Sequence, residues 1–151
     1  MSRMKERLSA KANVIVTITD AHGRLLDQFA QHNLVVTSGL NLLRDLLNNT
    51  APTALTHVAL GTGTTAVNTA QTALVTEVYR DVITQRTTGT GQLVVTLYLG
   101  TTQGNGNTLA EVGLFNASSS GTMYARVLLA STIAKTSAIA VTFTWTLTFS
   151  V

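Results

Sequence analysis

Val141-Thr-Phe-Thr-Trp-Thr-Leu-Thr-Phe-Ser-Val151 alternates without a fault: Val, Phe, Trp, Leu, Phe and Val fall on one side, and Thr142, Thr144, Thr146, Thr148 and Ser150 on the other. A period of two is that of a β-strand. A face carrying two Phe and the only Trp of the chain has to be buried, because each such ring removes about 150–250 Å² from water. The opposite face is uncharged, and the stretch holds no Lys, Glu or Pro of the kind that protects a sheet edge. The strand therefore belongs either in the middle of its sheet or under another chain.

Upstream the same pattern recurs in shorter pieces. Strands are predicted over 55–60, 78–87, 92–99, 108–116, 123–129 and 139–151, separated by Gly89-Thr-Gly91, Gly104-Asn-Gly-Asn107 and Ser118-Ser-Ser-Gly121, turn residues that tolerate positive φ. Asn13 to Asp20 and Arg24 to Val36 read as a β-hairpin across Ala21-His-Gly23. A single helix is predicted over about 38–48, with Leu40, Leu43 and Leu47 at helical spacing, Leu42 and Leu46 broadening the stripe, Ser38 or Thr37 as cap and Pro52 beyond the end. Ser2 to about Ala10 reads as a short basic helix with Met4 and Leu8 one turn apart. The expected fold is mainly β: an antiparallel β-sandwich, jelly-roll or Ig-like, over 13–151, with one packed helix and a basic docking arm over 1–12.

Composition narrows the function. The chain has 151 residues, 45% of them hydrophobic and 11% charged, against about 25% charged in an ordinary soluble domain. That leaves a surface of uncharged polar residues, or one covered by neighbours. The formal charge of +3 comes from Arg3, Lys5, Arg7 and Lys11 set against Glu6, while the remaining acids and bases balance. A neutral body with 5% aromatics lacks the basic face and stacking platform of a nucleic-acid binder. No apolar run reaches the roughly 18 residues of a membrane span, and the N-terminus has no secretory apolar core, so neither nucleic acid nor membrane is expected as a partner. Cys is absent, which removes disulfides and thiolate metal sites.

Candidate chemistry is thin. Leu60-Gly-Thr-Gly-Thr-Thr65 resembles a phosphate loop only superficially, because no Lys follows its glycines. His22, His32 and His57 have no second His or carboxylate at helical metal spacing, and no G-x-S-x-G elbow occurs. Glu77, Arg80, Glu111 and Arg126 stand among apolar positions in or beside predicted strands. Charges in such places are tolerated when paired. They read as two structural ion pairs fixing strand register rather than as an acid–base couple. No catalytic residue, metal or cofactor is expected.

The succession Asn33-Leu-Val-Val36, Gly39-Leu-Asn-Leu-Leu-Arg-Asp-Leu-Leu47, His57-Val-Ala-Leu-Gly-Thr-Gly63, Thr72-Ala-Leu, Glu77-Val-Tyr-Arg80 and Glu111-Val-Gly-Leu-Phe115 resembles small structural proteins of tailed-bacteriophage virions, of the tail-fibre, tail-collar or capsid-decoration kind. The resemblance implies a non-enzymatic, homo-oligomeric virion subunit, assembled in the host cytoplasm, that docks on other capsid or tail proteins. The alternative is a receptor- or glycan-binding tip using the loops at 66–73, 104–107 and 118–121.

Overall fold

The computed structural model describes residues 8–50 and 52–151. Among them are ten strands and one helix: β1 Ser9–Asp20, β2 Leu25–His32, β3 Leu34–Val35, α1 Thr37–Leu47, β4 His57–Gly61, β5 Glu77–Val82, β6 Gln85–Gly89, β7 Gln92–Leu99, β8 Asn107–Phe115, β9 Met123–Lys135 and β10 Ile139–Ser150. They form two antiparallel five-stranded sheets, β2-β1-β10-β7-β6 and β3-β9-β8-β4-β5, packed as a β-sandwich. The helix is too short and too polar to cross a membrane.

β10 is the middle strand of its sheet. It pairs residue for residue with β1, from Ser9 opposite Ser150 to Asp20 opposite Ile139, and on its other side with β7. Val141, Phe143, Trp145 and Leu147 are buried, flanked by Val14 and Val16 of β1 and by Val95 and Leu97 of β7. Across the interior they meet Val58, Leu60, Val112, Leu114 and Val127 of the second sheet. A central position needs no charged guard, which explains the absence of Lys and Glu from the strand.

The middle of the second sheet, β4, β8 and the first half of β9, is covered on both faces. Its inner face joins the main core, while Ala59, Phe115 and Met123 on its outer side form a smaller cluster with Val36 and Leu74, which belong to the segments flanking α1 and β5. Burial on both sides turns alternation into continuous burial, and β8 is buried without interruption from Leu109 to Phe115.

Several expectations change. The segment 78–87 is two strands in two sheets: Ile83 N–H donates to Thr56 (2.9 Å) in one layer, and Thr84 N–H donates to Thr96 (2.8 Å) in the other. Buried Ile83 is the crossing point. The segment 24–36 also divides, because Asn33 N–H still bonds Ala12 of the first sheet while Val36 N–H bonds Tyr124 of the second. β9 runs six residues past its predicted end. The basic arm does not extend to residue 12: Ser9 onward is strand, Lys11 faces Thr148 across the ladder, and Ala12 is buried. Alternating Ala10, Ala12, Val14 and Val16 continue the inward face, so the long partner β10 holds the segment extended.

The helix begins after Val36 without a side-chain cap, and Ser38 instead donates its hydroxyl to the Met123 carbonyl at 2.7 Å. Gly39 and Leu42 are its buried positions. A Cβ at Gly39 would collide with the Tyr124 backbone.

Tyr124 itself is buried, and desolvation pushes its phenol up to about 12 from the ordinary value of 10.0. A raised folded-state pKa means stability that is complete below pH 10 and lost as pH rises toward 12, because only the unfolded chain can ionise freely in that window. The wild type is expected to lose about 2 kcal/mol more than Tyr124→Phe between pH 10 and pH 12, measured by urea unfolding at each pH. Equal losses would show that this hydroxyl is not desolvated.

Candidate functional site

Glu111 and Arg126 are neighbours across β8 and β9, on the outer side of the second sheet, and both side chains are fully buried. The carboxylate accepts from Gly63 N–H at 3.1 Å, Val75 N–H at 3.0 Å and Thr76 N–H at 2.8 Å, and from Arg126 Nε at 2.8 Å. The Arg126 guanidinium also donates to the Thr65 carbonyl (2.9 Å) and to Gln71 Oε1 (3.1 Å). Together they hold both ends and the middle of the strandless segment 62–76 against the sheet. Close approach requires Gly61 and Gly63, where a Cβ would lie 2.5 Å from Glu111 Oε1. Glu111 is thus saturated by donors and sealed from water, leaving no lone pair for acid–base work.

Glu77 and Arg80 form a second, more exposed pair at 2.7 Å. Arg80 also donates to the Ala117 carbonyl (2.8 Å) and the Ser120 carbonyl (2.9 Å), and its guanidinium stacks 3.9 Å over the Phe115 ring. It ties down the turn between β8 and β9. Both pairs therefore fasten loops more than they set register. His57–Gly61, Leu74, Glu77–Arg80 and Glu111–Phe115 meet around these two clamps.

The proposed tip loops do not form one surface. The turns at 104–107 and 118–121 lie at opposite ends of β8, and the 62–76 segment lies along the sheet between them. The first turn has its own tie, Lys135 Nζ to Asn105 Oδ1 at 2.7 Å, and burial lowers the Lys135 pKa.

Among the described residues, two surfaces remain open. The first is the outer face of the β10 sheet. Cross-strand register places Ala30, Ile15, Thr144, Thr96 and Gln85 in one row and His32, Asn13, Thr146, Val94 and Thr87 in the next. Lys11, one row further with Thr148 and Gln92, is the single charged side chain among the described residues on this face.

The second is an apolar cleft of about 490 Å³ between α1 and the adjoining ends of β1 and β10, lined chiefly by Leu8, Ala10, Leu40, Leu43, Leu47 and Phe149. Leu47 is 85% exposed, Leu8 71% and Leu40 51%. By periodicity alone the Leu40–Leu47 stripe predicts a packing face. Five leucines between 40 and 47 are more than one buried side of a short helix accommodates. That excess was the available signal for an outward surface.

Of the predicted docking residues, Arg3, Lys5 and Arg7 lie outside the described residues, and Lys11 belongs to the sheet face. Comparison with protein-family models, curated proteins and solved structures finds no match to this chain.

Glu111→Gln is expected to destabilise the fold by about 3–5 kcal/mol, because it strands a buried guanidinium, and to speed hydrogen exchange at residues 62–76. Glu111→Gln with Arg126→Met is expected to recover much of the loss in thermal unfolding. A single variant as stable as wild type would remove the clamp from the account.

Proposed function

We propose that the chain is a non-enzymatic structural subunit of a bacteriophage virion, an oligomeric protein that docks on other capsid or tail proteins. The observation that carries this reading is the leucine-lined cleft beside α1. A contiguous apolar opening rimmed by polar surface is what a protein–protein contact requires. Its occupant in this reading is an apolar segment of another virion protein, with Leu8, Leu40 and Leu47 as the anchoring contacts.

Three other features support the reading. The motif succession resembles that of small virion proteins. The buried charged side chains among the described residues, Glu111, Arg126 and Lys135, are committed to holding loops. Surface charge is sparse, which suits a subunit with several protein neighbours.

Leu47→Glu tests it, since a residue 85% exposed can change without disturbing the core. In particles purified from infected cells supplied with tagged copies, wild type is expected to be incorporated and Leu47→Glu to fall by at least roughly tenfold, the cost of burying an unpaired carboxylate. Absence of tagged wild type from particles overturns the virion reading. Equal incorporation of the two overturns the role of the cleft.

A further inference from the structure

The outer face of the β10 sheet has a different character from the cleft: broad and polar but almost without charge. We infer that this face is a self-association surface, and that its occupant is the same face of a second copy, related by a two-fold axis running along β10. The inference rests on the oligomeric-subunit reading and supplies the surface that it leaves open.

Area is the first argument. Five strands spaced about 4.8 Å apart and about eight residues long present about 24 Å by 27 Å, or some 650 Å². That is close to the roughly 800 Å² per partner of a standard stable interface, so a second copy of the face provides a partner of matching size.

Charge is the second argument. An isologous contact sets each residue opposite its symmetry mate's neighbourhood, and like charges meeting there are costly. In this sheet Lys11 and Gln92 flank Thr148 on either side. An axis along β10 exchanges the two flanks, so Lys11 of each copy stands over the uncharged Gln92 of the other. By the same operation Ile15 meets Thr96, Asn13 meets Val94 and Thr17 meets Tyr98. The half-exposed Tyr98 and Ile15 gain apolar contact, and Thr142 to Thr148 lie along the axis against their own copies. Among the described residues, no two like charges on this face are brought together by this arrangement.

The test uses purified full-length protein and charge exchange at Thr144, which lies on the axis near the middle of the face. Sedimentation of the wild type at about 100 μM is expected to give twice the chain mass. Thr144→Asp and Thr144→Lys are each expected to sediment as monomers with circular dichroism and melting curves like those of wild type, their dissociation constants raised by roughly 100-fold or more. Mixed in equal amounts, the two variants are expected to restore the dimer, a rescue that a folding defect cannot produce. A monomeric wild type, or charged variants that remain dimeric, overturns the inference; a mixture that stays monomeric overturns the axis along β10. Because no particle is involved, failure here is separable from failure of incorporation, and Leu47→Glu is expected to dimerise normally.

Discussion

Burial of one face of a single strand organises this molecule. Phe143 and Trp145 have no exposure at all, and a side chain of that size is removed from water only when strands flank it on both sides and a second layer closes over it. β1 and β7 provide the flanks, and the β4–β8–β9 strands provide the layer. Strict alternation then sends every threonine of β10 outward. The uncharged open face of one sheet is thus the geometrical complement of the aromatic core rather than a separate feature.

The other sheet solves a different problem. Its central strands, β4, β8 and the first half of β9, are buried on both sides, so the outer face there needs a cover, and the cover is mostly a long segment without regular structure. Such a segment carries backbone N–H groups that must be satisfied once buried. Glu111 accepts three of them and Arg126 answers a carbonyl. The ion pair is costly to bury and is not a strong net source of stability in itself. Its value lies in giving an irregular cover a single conformation, with fixed hydrogen-bond partners where a helix or strand would have had its own.

The sequence was informative where residues speak about their immediate neighbours. Alternation at 141–151, turn residues at 89–91 and 104–107, and the Leu-rich stretch of α1 located most elements. Central placement of β10 answers the question its unprotected Thr face raised, without requiring another chain for that purpose. Other features were hidden for physical reasons. Nothing local marks Ile83 or Asn33 as a crossing between layers, because a β-branched run looks the same whether it stays in one sheet or steps to another. The pairing of Glu111 with Arg126 was legible as a need for partners, but not its link to backbone some 35 to 48 residues away. The outward turn of Leu40 and Leu47 was obscured because periodicity reports that a helix has an apolar side and not what covers it.

The full-length pairing of β1 with β10 has a mechanical side. Ser9 and Ser150 sit opposite each other at one end of the ladder, so tension drawn through the two ends of the chain opens their hydrogen bonds one after another, like a zipper. Load entering through the cleft or the open sheet face is spread over many contacts at once. A β-sandwich of this design resists strain when gripped by its surfaces and yields when pulled at the open end of the β1–β10 ladder.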